Sequence, residues 1–336
     1  MRFVACSNRR IVERNLLPSH AKMHRITLGL LLIAACTTTE DLSQTETPLV
    51  IENGQNLNGQ NLNGQNLNGQ NLNGQNLNGP DAGTFTIWTS LQGVKLNGKS
   101  VTVTLNRTVF ATADGTQTGL GFIQAEFQAM RGDGRTVRVR VRDIVPAAAG
   151  DTTWRYFIEY RETDNIWYPV CEDASGPRAA IPVNGIWDHR QGVAGGGAHS
   201  ASTDKFTFAC EGTGAIAKCI AMGYEPWESF GTVSLAGHHQ SCIRLMRGDY
   251  CGTGASYTQN GNRVNVYDQL GIQQDTESWV FEAEWDQNGA RCFNPLNRSR
   301  AGIPCYDARV EVGCGGNAYG LGTLLVNETP SGGLTP

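Results

Sequence analysis

The densest cluster of chemically capable side chains lies between residues 239 and 250. It contains an imidazole, two guanidinium groups, a carboxylate and a phenol, supplied by His239, Arg244, Arg247, Asp249 and Tyr250. His239 beside a carboxylate such as Asp249 would suit general acid–base catalysis if the two groups came within hydrogen-bond reach. The guanidinium groups and the phenol would suit ligand binding. In the alternative, architectural interpretation, disulfides hold the segment, Arg247 pairs with a carboxylate and Tyr250 packs.

A second candidate is the pair Glu282 and Glu284, which alternate around Ala283. On a strand, alternate residues share a face, so the two carboxylates would suit a glycosidase-like pair or a bound cation. Trp279 and Trp285 lie nearby and would suit sugar stacking. The alternative is an exposed acidic strand face with no chemical role.

Other familiar motifs are missing from the sequence. No Gly-x-Ser-x-Gly elbow is present, and the glycine-rich stretch 192–197 lacks the Gly-Lys-Ser/Thr ending of a phosphate loop. The cysteines have no CxxC spacing typical of zinc sites. We therefore predict neither a cofactor nor a metal site.

The elements that must position these side chains are mostly strands. Apolar residues alternate with polar ones over 101–105, 137–142 and 154–160, which is typical of half-buried antiparallel strands. Short helices are predicted over 215–222 and 235–246. We expect a mainly antiparallel β fold with short helices in a disulfide-rich C-terminal half, and an α+β fold is the alternative.

Eight cysteines follow residue 170, and an even number in an exported protein predicts four disulfides. The sequence does not choose among the possible pairings. We expect the disulfide of Cys251 to matter most, because it would hold the turn that ends the second helix. The expected disulfide cysteines are Cys171, Cys210, Cys219, Cys242, Cys251, Cys292, Cys305 and Cys314.

Export is predicted by the N-terminus. A ten-residue apolar run over 26–35 follows a basic region, is too short to span a bilayer, and ends in small residues before Cys36. The stretch 33–36 resembles the bacterial lipobox, in which the cysteine is acylated. We therefore expect lipidation at Cys36, and Thr37 at the next position favours the outer membrane or cell surface.

A perfect pentapeptide repeat, Asn-Gly-Gln-Asn-Leu, follows the expected anchor. Five copies are too few to enclose a core, so we predict a spacer, with a coil docked on the next domain as the alternative. The expected organisation is a signal over 1–35 (1–22 being either its basic region or an extension upstream of Met23), a disordered tether over 36–52, the repeat over 53–79, a β-rich part over 84–165, a cysteine-rich domain over 166–316 and a flexible tail over 317–336.

Charge excludes one class of partner. Residues 1–35 hold six of the 27 basic residues and one of the 31 acidic residues, so the rest of the chain is acidic. Affinity for nucleic acid comes from neutralising phosphates with Lys and Arg, and we expect no nucleic-acid partner.

Several ordered motifs carry a family resemblance. The run 239–252, with Asp249, Tyr250 and Cys251 in place and Gly248 where the family has Ala, resembles the signature of ADYC-domain proteins, which are myxobacterial envelope proteins. Stretches at 187–192, 208–210, 266–268, 281–285 and 289–292 are similar to the same family, and together the motifs cover about 160–315. The resemblance implies a cell-surface module of unassigned activity and carries over no catalytic residue.

The sequence therefore favours a lipid-anchored, non-enzymatic binding or structural module of the cell envelope. Its expected partners are the membrane, through the lipid, and an envelope glycan or another surface protein. The alternative is an extracytoplasmic hydrolase acting on glycan or peptidoglycan. A hydrolase should bring His239, Asp249, Glu282 or Glu284 together in one pocket, whereas a binding module should present aromatic side chains or a flat face.

Overall fold

Alternating valines build the longest strand of the computed structural model. In the segment Thr136–Val145, Val137, Val139 and Val141 are buried, whereas Arg138 is exposed. The structure describes residues 86–161, 163–173, 176–258, 262–299, 302–311, 314–315, 319–320 and 322–330. Cys36, the signal, the tether and the repeat lie outside these residues, so what the sequence indicates about them stays a prediction.

The first half of the described chain consists of strands. In chain order they are β1 (Thr86–Ser90), β2 (Val94–Leu96), β3 (Lys99–Val101), β4 (Val103–Asn106), β5 (Val109–Thr112), β6 (Glu126–Arg131), β7 (Thr136–Val145), β8 (Arg155–Arg161), β9 (Trp167–Pro169), β10 (Glu172–Asp173), β11 (Gly176–Pro177), β12 (Ala180–Asn184), β13 (Ile186–Trp187), β14 (His199–Ser200) and β15 (Lys205–Cys210).

Apart from a 3₁₀ helix at Gly119–Phe122, the helices of the described residues follow β15. The remaining elements are α1 (Ala215–Ala221), β16 (Ser229–Phe230), β17 (Val233–Ser234), α2 (Ala236–Arg247), β18 (Asn265–Asp268), β19 (Val280–Asp286), β20 (Gly289–Phe293), α3 (Tyr306–Arg309) and β21 (Leu325–Thr329). The helices predicted over 215–222 and 235–246 correspond to α1 and α2 within one residue at each end.

Six antiparallel strands close into a ring, which we call the strand ring. Their order is β1–β15–β12–β8–β7–β6, and the ring closes because β1 pairs with both β6 and β15. The ring combines strands from the β-rich part expected over 84–165 with strands from the cysteine-rich domain expected over 166–316. Its interior is aromatic: the ring of Phe110 on β5 lies 5.1 Å from each of Phe127, Tyr156 and Phe206. Burial of these large rings is the main driving force for this part of the fold.

The second body of structure is built around α2, and we call it the α2 layer. It comprises α1, α2 and a four-stranded antiparallel sheet in the order β18–β21–β19–β20. The α2 helix packs on α1 and on β19, β20 and β21. Every residue from His238 to Arg247 is buried, so this helix is surrounded by protein on all sides.

The eight downstream cysteines form four disulfides, as the sequence predicts. Cys171–Cys210 borders the strand ring, and Cys219–Cys242 joins α1 to α2. The other two brace the last part of the chain; they are Cys251–Cys305 and Cys292–Cys314. The predicted fold class, mainly antiparallel β with short helices in a disulfide-rich C-terminal half, is confirmed.

The structure differs from expectation at the C-terminus. Residues 325–329, inside the segment expected to be a flexible tail, form β21, which pairs with β18 on one edge and β19 on the other. Leu325 and Val326 are completely buried there. A five-residue strand gives little signal of its own, because its stability comes from two distant partners. Among the described residues, none of the helices has the length and apolar character needed to cross a membrane.

Candidate functional site

The end of α2 folds the residues that follow it back into the protein. Gly248 adopts φ 62°, in the left-handed region, and the N–H of Asp249 donates to the Arg244 carbonyl at 2.9 Å. Glycine commonly ends helices in this way, because a side chain at that φ is strained. The turn directs Asp249 and Tyr250 into the interior, where both are completely buried.

Asp249 forms a buried ion pair that also closes the next loop. Its carboxylate binds the Arg244 guanidinium and accepts hydrogen bonds from the N–H groups of Thr253 at 3.0 Å and Gly254 at 2.9 Å. Taking two charges out of water is costly, and additional hydrogen bonds are needed to offset that cost. The carboxylate of Asp249 therefore acts in the architecture of this loop.

Both arginines of α2 hold backbone carbonyl groups. Arg244 Nη1 donates to the Gly196 carbonyl at 2.6 Å and so fixes the glycine-rich loop, while Arg247 Nη2 donates to the Gly254 carbonyl. Burial lowers the pKa of Arg247 to about 10. Both side chains are at most 3% exposed, so neither is placed to recruit a ligand from solvent.

Tyr250 is the aromatic centre of the α2 layer. Its hydroxyl donates to Glu282 Oε1 at 2.5 Å, and its ring lies 5.2 Å from that of Trp285 and 5.0 Å from that of Phe293. Burial raises the pKa of Tyr250 well above its usual range, and the charge of Glu282 adds to the rise. The phenol therefore serves as a hydrogen-bond donor and packing group.

Cys251 and Arg309 connect this region to α3. Cys251 is bonded to Cys305 at the start of α3, and Arg309 of that helix donates to the carbonyls of Tyr250 at 2.6 Å and Ala290 at 2.7 Å. We call residues 248–251, together with Arg244 and Arg247, the buried node. Its polar groups join two loops, a helix end and a sheet.

Glu282 and Glu284 have separate partners. Glu282 binds Tyr250 and lies 3.5 Å from Arg298 Nε, whereas Glu284 accepts hydrogen bonds from Thr323 Oγ1 at 2.6 Å and Gly320 N at 3.3 Å. The pairing of β19 with β21 is irregular around Glu282, which interrupts the expected alternation. Both carboxylates are buried, and the described residues give them no common partner.

A cavity of about 180 Å³ opens between β12 and the start of α2. Trp187, His239 and Gln240 are buried in its walls, while His199 and Ala236 are exposed at its rim, so solvent reaches it. The full lining is Val183, Asn184, Trp187, His199, Pro226, Trp227, Ala236, His239 and Gln240. We call it the Trp187 cavity.

His239 lines this cavity, unlike Asp249, Glu282 and Glu284. Its Nε2 lies 3.1 Å from the Ile216 carbonyl, so Nε2 carries the proton and donates it, and Nδ1 is left as an acceptor. Burial lowers the pKa of His239 to about 3. Such a weakly basic imidazole is neutral near pH 7 and poorly matched to general base catalysis there.

The other main contributors were not found from the sequence. Trp187 Nε1 donates to Gln240 Oε1 at 2.9 Å, and the rings of Trp187 and His199 lie 4.4 Å apart. Trp227 adds a second indole. Trp187 and His199 are partners across the β13–β14 pair, whereas Trp227 precedes β16 and Gln240 lies on α2, so no regular spacing links the four residues. The one available signal was Trp187, which stands in a stretch with family resemblance.

The lining of the Trp187 cavity is aromatic and uncharged. Glycoside hydrolysis ordinarily uses two carboxyl groups that flank the bond, and no carboxylate lines the Trp187 cavity. Among the described residues, no group of three or more His, Cys, Asp or Glu side chains is arranged to hold a metal ion. The groups present are two indoles, two imidazoles and two amides.

Comparison with known proteins gives one match. A sequence model of the ADYC domain matches residues 119–299, which is more than half of the chain and includes the buried node and the Trp187 cavity. No curated protein and no solved structure matches the chain.

Proposed function

The chain belongs to the ADYC-domain family, and on that premise we propose that it is a non-enzymatic binding module of the cell envelope, held at the membrane by a lipid on Cys36. The observation that carries the binding role is the Trp187 cavity, which is reachable from solvent and lined by aromatic and uncharged polar groups. Such a lining is typical of sites for small ligands.

The separation of the candidate catalytic groups supports binding over hydrolysis. Asp249 is enclosed with Arg244, Glu282 is bound to Tyr250, and Glu284 is bound to Thr323. His239 faces the cavity without any of these carboxylates. The anchor at Cys36 is proposed from the sequence, and an envelope glycan remains the proposed partner.

Co-sedimentation with purified, insoluble envelope saccharide tests this function. The full chain with Cys36→Ser, produced in an oxidising compartment, should sediment with the saccharide and release no soluble fragments. Ala236→Trp should abolish the association, because Ala236 is exposed at the cavity rim and the indole would fill the opening.

Ala221→Trp is the matched control, because Ala221 is an exposed helical alanine outside the cavity lining. Equal sedimentation of both variants with the parent would reject the Trp187 cavity as the binding site. Release of soluble fragments would favour the hydrolase instead. Mass spectrometry of membrane-extracted protein tests the anchor separately, and an unmodified Cys36 would contradict it.

A further inference from the structure

The walls of the Trp187 cavity offer flat aromatic surface with few free donors. Trp187 Nε1 is bound to Gln240 Oε1 at 2.9 Å, and Trp227 Nε1 to Thr152 Oγ1 at 3.3 Å. Gln240 in turn donates to the Gly197 carbonyl at 2.9 Å. With both indole N–H groups already bound inside the protein, what the indoles offer a ligand is their rings.

The two imidazoles of the cavity present acceptors. His199 Nε2 lies 3.0 Å from the Asn184 carbonyl, and His239 Nε2 lies 3.1 Å from the Ile216 carbonyl. A carbonyl oxygen only accepts, so in both rings Nε2 holds the hydrogen and Nδ1 carries a lone pair. Partial desolvation of the His199 ring and complete burial of His239 lower the pKa of each imidazole, which favours this neutral form at neutral pH.

The cavity contains no charge that would balance an ion. None of its lining residues is Asp, Glu, Lys or Arg. Burying an unpaired charge is expensive, so a carboxylate or phosphate ligand would find no counter-charge here, and a primary ammonium group would find only the faces of the indole rings. A neutral ligand with several hydrogen-bond donors and an apolar face fits these walls best.

The volume of the Trp187 cavity limits the size of the ligand. At roughly 30 Å³ for each water molecule in the liquid, a cavity of about 180 Å³ holds the volume of roughly six waters. That space is sufficient for a single six-membered ring with its hydroxyl groups and too small for an extended oligomer. A longer chain would have to continue outward past His199 and Ala236 at the exposed rim.

We propose that the Trp187 cavity binds one ring of an uncharged saccharide, whose C–H face stacks on the indoles while its hydroxyl groups donate to Nδ1 of His199 and His239. This inference rests on the proposed binding function and names the ligand class of the same site. A pyranose supplies what the walls lack, namely O–H donors arranged around an apolar ring.

Titration calorimetry with a charge-matched ligand series tests the proposal on the full chain with Cys36→Ser. The neutral probes are methyl glycosides of glucose, galactose and mannose, and N-acetylglucosamine. The charged counterparts are glucosamine and glucuronate. At least one neutral probe should bind, and the charged forms of a ring should bind at least about tenfold more weakly, because their charge is buried unpaired.

Variants at His199, which is exposed at the cavity rim, test the acceptor role. His199→Leu should weaken the binding of the neutral sugar about 3–10-fold through loss of one hydrogen bond, and His199→Gln should restore most of it, because its amide oxygen still accepts. His189→Leu is the matched control, since His189 lies outside the cavity lining and should bind like the parent.

The outcomes separate the two proposals. If no neutral sugar binds, or if His199→Leu and the parent bind equally, the saccharide inference is overturned. Binding of choline or an aromatic alcohol that Ala236→Trp abolishes, without sugar binding, would overturn the ligand class and leave the binding function standing. If no probe binds and Ala236→Trp still sediments with envelope saccharide like the parent, both proposals fail.

Discussion

The strand ring and the α2 layer are stabilised by different chemistry. In the strand ring, Phe110 and its aromatic neighbours fill the interior, while charges such as Arg138 and Glu126 pair on the outside at 2.9 Å. In the α2 layer, charged groups lie inside, as in the Arg244–Asp249 pair. Three of the four disulfides also belong to this second region and its flanking loops.

The contrast follows from what each stretch of sequence can bury. Regular alternation places a continuous apolar face on β6, β7 and β8, and that face contributes to the core of the ring. The α2 layer has one long helix, short strands and glycine-rich loops, so much of its backbone must be fixed by specific contacts. Buried hydrogen bonds and crosslinks do this work at the ends of α2. Removal of a buried charge from the α2 layer should therefore be severe, and removal of an outward-facing charge from the strand ring should be mild.

The largest effect is expected from Asp249→Asn. The substitution keeps the shape of the side chain and leaves the buried Arg244 guanidinium without a counter-charge. Loss of one partner of such a pair costs about 3–5 kcal/mol of stability. Urea unfolding followed by circular dichroism measures it, with Asp286→Asn in the partly exposed pair with Arg291 as the control. A loss below about 1 kcal/mol would contradict the architectural role given to the buried node.

Removing the disulfide of Cys251 comes next. The double variant Cys251→Ala, Cys305→Ala should lose about 2–4 kcal/mol. The corresponding change at Cys171 and Cys210 should cost less, because the aromatic core still holds the strand ring. The loops closed are of similar length, 54 and 39 residues, so loop entropy alone predicts nearly equal losses. Equal losses by urea unfolding would mean that packing does not distinguish the two regions.

Lys218 gives a smaller effect of opposite sign. It is buried on α1, its Nζ has no hydrogen-bond partner among the described residues, and burial lowers its pKa to about 7. The unfolded chain, with a lysine pKa of about 10.4, binds more protons between those values, so stability should rise with pH across that window. Lys218→Met should stabilise the protein at pH 7 by about 1–3 kcal/mol.

The pH dependence identifies the cause of that gain. Urea midpoints of the parent and Lys218→Met should converge as the pH rises from 7 towards 10. Over this range the unfolded parent also loses the proton of Lys218, so the neutral lysine in the folded parent no longer costs stability. If the difference between the two urea midpoints stays constant over this range, the stabilisation by Lys218→Met does not come from the buried ammonium group.

The smallest effect is expected in the strand ring. Arg138→Ala removes an outward-facing pair in which the arginine side chain is 53% exposed. Such pairs contribute about 0–1 kcal/mol. Thermal melting at low and high salt checks this expectation. A loss comparable to that of Asp249→Asn would remove the contrast between the two regions.

The sequence predicts the parts of this fold that depend on local pattern. Strand β7 and the helices α1 and α2 follow from apolar periodicity, and the four disulfides follow from an even cysteine count. Ring closure through β1 and the capture of β21 depend on pairing between distant segments, for which periodicity carries no information. The same limit explains why the cysteine count leaves the disulfide connectivity open.

For the candidate site, the sequence predicts which side chains are clustered but not whether they are accessible. Residue type and spacing single out a cluster that includes Arg244, Asp249 and Tyr250, and in the structure Arg244 pairs with Asp249 while Tyr250 binds Glu282. Whether such a group is open to ligands depends on burial, which the spacing does not encode. The Trp187 cavity does not follow from spacing, because the β13–β14 pair that holds Trp187 and His199 meets Trp227 and α2 only through tertiary packing.

The order of the disulfides along the chain has a consequence for maturation. Cys171–Cys210 and Cys219–Cys242 each join neighbouring cysteines, whereas Cys251 passes Cys292 to reach Cys305, and Cys292 passes Cys305 to reach Cys314. If the chain is oxidised while it is exported with its N-terminus first, each cysteine would pair with the preceding free cysteine. Among the last four cysteines, such pairs are non-native. They must be reshuffled by thiol–disulfide exchange, in which a thiolate attacks an existing bond. The first two crosslinks can thus form by oxidation alone, while completion of the last two requires an isomerase or a redox buffer.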